Sequence, residues 1–110
     1  KENNVISVPG SFSPSEIAES YANGADVVKV FPANEVTLSY ANKVKEPCGD
    51  IPLMAVGGIN KHNVKEALES GYDYLGTAGG LFSKNNIKNL DKNALLKELQ
   101  EFEAELVDFL

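Results

Sequence analysis

Four short apolar runs, each ended by glycine or proline, limit most strongly what this chain can fold into. Runs rich in β-branched residues that stop at such turns are typical of buried strands. The predicted strands are residues 5–8, 26–31, 51–56 and 72–77. Helical patterns follow each run, so the sequence predicts four strand–helix units in a row. Units of this kind form a parallel sheet with the helices outside it.

Capping signals predict where the helices begin and end. Ser13 and Glu16 form the Ser-x-x-Glu pattern of a capping box, with Pro14 at the first helical position. Gly24 is placed to end that helix in the left-handed conformation. The other helices are predicted around residues 38–44, between an Asn60 cap and Gly71, and after an Asp91 cap.

The sequence also contains a weak internal repeat, which we call the sequence echo. A shift of 47 residues aligns Gly24 with Gly71 and Asp26 with Asp73. Such a repeat is typical of a repeating parallel architecture. Eight strands close a barrel and four do not. We therefore expect half of a (β/α)8 TIM barrel, either as a fragment of a longer polypeptide or as a half that pairs with a partner. An isolated half would leave sheet edges and an apolar inner face exposed.

Composition argues against several classes of protein. The chain has 110 residues, is 43% hydrophobic, and has a formal charge of −6 with ten Lys and no Arg. This balance argues against a nucleic-acid partner. The single Cys48 excludes an internal disulfide, and the single His62 has no companions for a zinc site, so no metal is expected. With no membrane-spanning run and no signal-peptide pattern, we expect a cytoplasmic enzyme or binding protein with no membrane partner.

Lys29 is the candidate for chemistry because it interrupts the apolar run Val27–Phe31. An ammonium in a low dielectric is pushed toward its neutral form, and a neutral amine is a nucleophile. Strand side chains alternate, so Lys29 shares a face with Val27 and Phe31. If that face is inward, the amine projects into the barrel mouth. The alternative is a lysine on the solvent face of a half-buried strand.

Two glycine pairs follow the third and fourth predicted strands, Gly57-Gly58 and Gly79-Gly80. Functional groups of parallel barrels gather at the carboxyl ends of the strands. Glycine turns there allow backbone N–H groups to approach an anion, aided by a helix start. The two pairs therefore predict an anion site, and the alternative is ordinary turn chemistry.

Three segments together resemble a known family. They are Pro9-Gly10 with Ser13–Glu16, the stretch 24–33 containing Lys-x-Phe-Pro-Ala, and Gly57-Gly58-Ile59-Asn60 with Asn63. In this order and spacing they resemble the C-terminal half of 2-keto-3-deoxy-6-phosphogluconate / 4-hydroxy-2-oxoglutarate aldolases. Thiamine phosphate synthase and other phosphate-binding barrels carry a similar Gly-Gly-Ile-Asn turn.

The resemblance implies a class I aldolase in which residues 1–110 are half of the barrel domain, with N-terminal strands one to four absent. Lys29 matches the Schiff-base lysine that condenses with the keto carbon of pyruvate or of a keto acid. The protonated imine accepts electrons from the breaking C–C bond, so neither a metal nor a cofactor is implied. Gly57 and Gly58 match the phosphate turn, and Gly79, Gly80 and Phe31 complete the predicted ligand-binding set. A keto acid or phosphosugar acid ligand and a trimer are also implied.

The sequence departs from the family at the mouth of the barrel. Asn34 stands where the family often has Glu, Val56 where Thr is common, and Gly79 where a Ser contacts phosphate. The family's proton-shuttling Glu and carboxylate-binding Arg come from earlier strands, and here Glu16 and Glu35 are the only acids near strand ends. We therefore expect the isolated chain to be at best a feeble aldolase.

Two alternatives to the aldolase stay open at this point. One is a phosphate-binding transferase or isomerase on the same barrel, in which Lys29 only pairs with an anion. The other is a catalytically incomplete half-barrel that acts as an interaction module. The sequence also leaves open which keto acid is cleaved and whether it is phosphorylated.

Overall fold

The computed structural model describes residues 3–109 and contains one four-stranded sheet with strand order β1-β2-β3-β4. All three neighbouring pairs are parallel. The strands are β1 (Gly10–Ser11), β2 (Val28–Val30), β3 (Leu53–Val56) and β4 (Tyr74–Gly76). This confirms the predicted α/β fold, a partial barrel of four parallel strands.

The helices follow the strands in the predicted alternation. They are α1 (Pro14–Ala22), α2 (Tyr40–Cys48), α3 (Val64–Glu69), α4 (Lys84–Lys88) and α5 (Lys92–Ala104), with single 3₁₀ turns at Ala33–Glu35 and Val107–Phe109. Helix α2 begins and ends later than predicted and is closed by Gly49 at φ +87°. The prediction that Asn60 caps α3 is wrong, because Asn63 occupies the cap position directly before Val64. Asn60 lies one turn earlier, where its side-chain oxygen accepts the N–H of His62 at 2.8 Å. No helix within residues 3–109 has the length and apolar character needed to cross a membrane.

The helices cover only one face of the sheet. On that face the central strands place four side chains with no exposed surface, which are Val28, Val30, Leu53 and Ala55. The alternate residues point to the opposite side, where Phe31 keeps 54% and Tyr74 keeps 50% of its surface exposed. We refer to this uncovered side as the open face. It corresponds to the inner face of a closed barrel, as the half-barrel interpretation predicts.

The first strand was predicted at residues 5–8, and this prediction is wrong. Val5 and Ile6 are 64% and 79% exposed, and the regular ladder begins only at Gly10. The backbone nevertheless runs beside β2, because the carbonyl of Ser7 accepts the N–H of Asp26 at 3.0 Å. Pro9 has no N–H to donate, and no described strand lies on the outer side of this edge. Residues 5–8 therefore have too few hydrogen-bond partners at this edge of the sheet to form a regular strand.

A repeated aspartate contact gives the sequence echo a structural meaning. One carboxylate oxygen of Asp26 accepts the N–H of Ser7 at 2.8 Å, and one of Asp73 accepts the N–H of Leu53 at 3.0 Å. Each aspartate thus fastens the residues that lead into its own strand to a neighbouring segment, which is the extended chain before β1 for Asp26 and the start of β3 for Asp73. The residues that end the preceding helices, at positions 24 and 71, both have positive φ, +102° and +110°. The same local construction is used twice in the sheet.

The predicted capping box at the start of α1 is present. The Ser13 hydroxyl accepts the N–H of Glu16 at 3.3 Å, and the Glu16 carboxylate accepts the N–H of Ser13 at 3.0 Å. We expect Ser13→Ala to lower the free energy of unfolding by about 1 kcal/mol, because a helix N–H loses its partner. Urea unfolding measures this loss. Ser15→Ala, an exposed change in the same turn, is the matched control, and an equal loss in both variants would contradict the cap.

The Glu16 carboxylate also makes this cap sensitive to pH. Its pKa is lowered from the ordinary value of 4.5, first by the backbone N–H of Ser13 and then by the Ser13 hydroxyl. A lowered folded-state pKa stabilises the fold above the unfolded value and loses that effect as the pH falls through the folded value. We expect Glu16→Gln to be less stable than the parent at pH 7, and we expect this deficit to shrink as the pH falls below the ordinary pKa of a Glu carboxyl. Glu19→Gln on the same helix is the control, and a pH-independent deficit in Glu16→Gln would refute this account.

Candidate active site

Strand β2 presents Lys29 on the open face, where it pairs in register with Gly10 on β1 and Met54 on β3. Gly10 provides the space for the lysine, because a Cβ there would lie 3.1 Å from its Cε and 3.7 Å from its Nζ. The Nζ lies 5.8 Å from the centroid of the Phe31 ring. None of the ion pairs among residues 3–109 involves Lys29. The amine is therefore half-buried, beside an aromatic ring and without a carboxylate partner in the described chain.

The turn after β3 depends on two glycines and one asparagine. Gly57 and Gly58 have φ of +116° and +72°, in the left-handed region that favours glycine. The Asn63 side chain braces the turn from the start of α3. Its Nδ2 donates to the Gly58 carbonyl at 2.8 Å, and its Oδ1 accepts the N–H of Asn60 at 2.9 Å. The turn is thus held in one shape.

The turn after β4 contacts the first turn directly. The Thr77 hydroxyl donates to the Ile59 carbonyl at 2.8 Å. Gly80 approaches the same carbonyl so closely that a Cβ on it would lie 1.8 Å from the oxygen. No backbone acceptor within residues 3–109 receives the N–H groups of Gly58, Ile59, Gly79 or Gly80. Two adjoining turns with unpaired N–H donors are suited to an anion.

The structure brings the six predicted site residues to one cavity of about 650 Å³ at the carboxyl ends of the strands. These six are Lys29, Phe31, Gly57, Gly58, Gly79 and Gly80. The remaining lining residues are Val56, Ile59, Gly76, Thr77 and Ala78. Lys29 is therefore the only ionisable side chain in the described lining. No group of three His, Cys, Asp or Glu side chains in the described part of the chain could hold a metal ion.

The two acids that the sequence offered near strand ends do not reach this cavity. Glu16 is engaged in the α1 capping box, and Glu35 is exposed on the 3₁₀ turn after β2. Neither lines the cavity. Within residues 3–109, the cavity thus has a candidate nucleophile and candidate anion donors, but no carboxylate that could move a proton.

Sequence reasoning missed two residues that hold the turns in place. Thr77 joins the turns through its hydroxyl, and Asn34 lies directly against Gly57 and Gly58. The sequence indicated Asn34 only as a departure from a family pattern. Nothing in the sequence indicates that Thr77 reaches a carbonyl 18 residues earlier.

The family of the chain follows from a match to a protein-family model. The model described as KDPG and KHG aldolase matches residues 1–98. The chain belongs to this aldolase family. The match confirms the resemblance that the motifs around Lys29 and the glycine turns indicated.

Curated relatives of this aldolase-family chain carry two different descriptions. A thiamine-phosphate synthase of Shouchella clausii is 34% identical over 96 residues, which is 78% of this chain and 45% of that protein. A probable 2-dehydro-3-deoxy-6-phosphogalactonate aldolase of Rhizobium meliloti is 29% identical over 79 residues, which is 71% of this chain and 37% of that protein. The chain thus spans less than half the length of both relatives.

A solved structure described as native KDPGal has the same fold. It superimposes with a TM-score of 0.75 at 21% identity, over 97% of this chain and 52% of that one. The four strands and their helices therefore match about half of that larger structure.

The contact between the two turns makes a steric prediction. Gly79 and Gly80 both lack a positive φ, but a Cβ at Gly80 would overlap the Ile59 carbonyl, whereas one at Gly79 meets nothing within 4 Å. We expect Gly80→Ala to lower the free energy of unfolding by about 1–3 kcal/mol, because the backbone of the two turns must separate. Gly79→Ala should stay within about 0.5 kcal/mol of the parent. Urea unfolding compares the two variants, and equal stabilities would contradict the contact.

Proposed function

We propose that this chain provides the imine-forming lysine and the anion-binding turns of a class I aldolase. The reaction is cleavage of a 2-keto-3-deoxy phosphosugar acid or of 4-hydroxy-2-oxoglutarate to pyruvate and an aldehyde. One observation carries the proposal: in a member of the KDPG and KHG aldolase family, Lys29 and both glycine turns line the same cavity. The motif of Lys29 followed by Phe31-Pro32-Ala33 also supports the aldolase, because a protein that only bound phosphate would not need it.

Lys29 acts in this proposal as the nucleophile. Its neutral amine adds to the keto carbon, and the adduct takes up one proton from solvent and loses water to leave a protonated imine. When the C–C bond breaks, its electron pair moves toward the positively charged imine, and the proton of the adjacent hydroxyl group passes to a base. Reprotonation of the resulting carbon and hydrolysis then release pyruvate and free the lysine. The aromatic face of Phe31 lies beside the nitrogen that carries the charge.

The base is the part of this reaction for which the described residues offer no candidate. Lys29 is the only ionisable lining residue of the cavity. The open face, with Phe31 and Tyr74 about half exposed, supports completion of the barrel by four further strands that supply a carboxylate. Without it, proton transfers lose on the order of 10²–10⁴-fold in rate, so the chain alone should turn over feebly. The trimeric state and the cytoplasmic location stay predictions.

The glycine turns hold the anionic end of the substrate in this proposal. Their unpaired N–H groups lie on the same cavity as the lysine. Phosphate and carboxylate both accept hydrogen bonds from such groups. The turns therefore fit either a phosphorylated or a dicarboxylic keto acid.

A transferase is the second candidate, and one observation favours it. The relative that is 34% identical over 96 residues is a thiamine-phosphate synthase. In that case the turns would bind a phosphate or diphosphate group, and Lys29 would pair with it as a cation without forming a bond. The two candidates differ in whether the lysine becomes covalently modified.

Borohydride trapping separates the two candidates. The chain is incubated with pyruvate, reduced with borohydride, and analysed by intact and peptide mass. We expect a reduced pyruvyl adduct on the peptide that contains Lys29, because reduction fixes an imine at the attacking amine. Lys29→Ala should lose this adduct, whereas Lys43→Ala, an exposed lysine on α2, should keep it.

One result would count against Lys29 as the nucleophile, and another would count against the aldolase. An adduct that persists in Lys29→Ala would reassign the nucleophile. No adduct, either in this chain or in a longer version that carries the completing strands, together with tight binding of phosphosugar, would favour the transferase.

A further inference from the structure

Two carboxylates on α5 contact the segments that follow the two glycine turns. Glu98 and Glu101 are three residues apart, so they lie on the same face of the helix. The Glu101 carboxylate pairs at 2.5 Å with the ammonium of Lys61, the residue directly after the turn that follows β3. Glu98 accepts the N–H of Ser83 at 2.7 Å, its hydroxyl at 3.1 Å, and a hydrogen bond from the Asn86 side chain. One helix thus contacts the chain beyond both turns.

A single helical turn connects Ser83 to the glycine pair after β4. Within residues 78–82, two backbone N–H groups donate to the Ala78 carbonyl at 3.0 and 3.1 Å. Ser83 follows directly and is the cap residue of α4. The pair Gly79-Gly80 therefore lies inside a short hydrogen-bonded unit, and the residue after this unit is the one that α5 holds.

This glycine pair borders two cavities, so packing fixes it incompletely. One is the cavity that contains Lys29. The other, of about 330 Å³, lies between the same glycines and α5. Gly80 contacts the Ile59 carbonyl, whereas a Cβ on Gly79 would meet nothing within 4 Å. The position of the pair therefore depends on the hydrogen bonds at the ends of its segment.

Helix α5 is itself fixed to the core. Phe102 lies four residues after Glu98, is 8% exposed and belongs to the hydrophobic core cluster. The start of the helix is capped by Asp91, whose carboxylate accepts the N–H of Ala94 at 3.1 Å. A helix that is anchored in this way and contacts two segments holds them at a fixed separation.

Carboxylates in this position are unfavourable for an anion site as far as charge alone is concerned. The chain has a formal charge of −6, and each carboxylate near the turns repels an anion bound there. Both are also kept ionised. The pKa of Glu98 is lowered first by the hydrogen bond from Asn86, and the pKa of Glu101 first by the hydrogen bond from Lys61. Charge and geometry therefore make opposite predictions for the removal of these groups.

We propose that Glu98 and Glu101 are positioning residues of the anion site, and that α5 holds the two glycine turns at a fixed separation from behind. The inference rests on the proposed anion-binding role of the turns. It adds a helix that contributes no residue to the described lining of the Lys29 cavity. The Thr77 hydroxyl joins the same turns from the cavity side.

Three single substitutions on α5 each remove one negative charge. Glu98→Gln leaves one acceptor oxygen in place of two and brings an NH₂ group to a cluster of donors. Glu101→Gln removes the ion pair with Lys61. Glu103→Gln is the matched control, because Glu103 is exposed on the same helix and its side chain takes part in no hydrogen bond or ion pair within residues 3–109.

The measurement is titration of the full ¹⁵N-labelled chain with inorganic phosphate, following the amide signals of the glycines in both turns. By charge alone, all three variants would bind phosphate slightly more tightly than the parent. We expect Glu98→Gln to weaken phosphate binding by about three- to tenfold, because three donors lose their charged partner. Glu101→Gln should weaken it by about twofold, because its ion pair is partly exposed. Glu103→Gln should bind equally well or up to about twofold more tightly.

The spectra before phosphate is added report on the separation of the turns. Glu98 contacts the segment after β4, yet Glu98→Gln should also shift the amide signals of Gly57 and Gly58 in the turn after β3. Glu103→Gln should leave these signals in place. Urea unfolding of each variant identifies any loss of binding that is caused by unfolding. If Glu98→Gln does not fold, the direction of the change in Glu101→Gln decides the test.

Three outcomes would overturn the inference. They are unchanged or tighter phosphate binding by Glu98→Gln, an equal weakening by Glu103→Gln, and a parent chain whose glycine signals do not respond to phosphate. Borohydride trapping at Lys29 is read separately. A missing pyruvyl adduct together with a Glu98-dependent phosphate response would refute the aldolase and leave this inference standing. An adduct on a chain that does not respond to phosphate would do the reverse.

Discussion

One-sided burial of the sheet is the constraint from which the rest of the structure follows. Val28 and Val30 have no exposed surface because the helices pack on their face, and strict alternation then places Lys29 on the other face. A shift of β2 by one residue would bury the lysine among the helices and expose both valines, so the register is strongly determined. The same alternation in β3 buries Leu53 and Ala55 against the helices. The candidate nucleophile is therefore positioned by the hydrophobic core.

The proposed anion site consists of backbone N–H groups, and the sequence gives a physical reason for this. The chain has no Arg, and the described cavity lining contains a single Lys. N–H groups at close-packed turns are the remaining donors, and they require residues without side chains at the points of contact. Gly57 and Gly58 allow the unusual backbone conformation, and Gly80 allows contact with the Ile59 carbonyl. The glycines thus allow both the backbone conformation of the first turn and the close approach of the second turn to it.

Local signals in the sequence predicted a large part of this fold. The capping box of Ser13 and Glu16 could be predicted because both halves of the contact lie within four residues. Strands β2, β3 and β4 lie inside the predicted runs, since burial of consecutive apolar residues is a strong local pattern. The first strand was misplaced because its pairing depends on a neighbour rather than on its own residues. Val5 and Ile6 look like a strand, yet they lie exposed at the sheet edge.

The sequence by itself determined the order of strands and helices, the capped starts of α1 and α5, the lysine in an apolar strand and the glycine pairs after two strands. Each of these is a property of a few adjacent residues and of the chemistry of their side chains. Tertiary structure alone decided that the two glycine turns meet at the Ile59 carbonyl and that the Thr77 hydroxyl joins them. It also decided that Asn34 packs against the turn after β3. Such contacts link residues from different strand–helix units, and their distances depend on how the sheet twists and the helices pack. No short stretch of sequence carries that information.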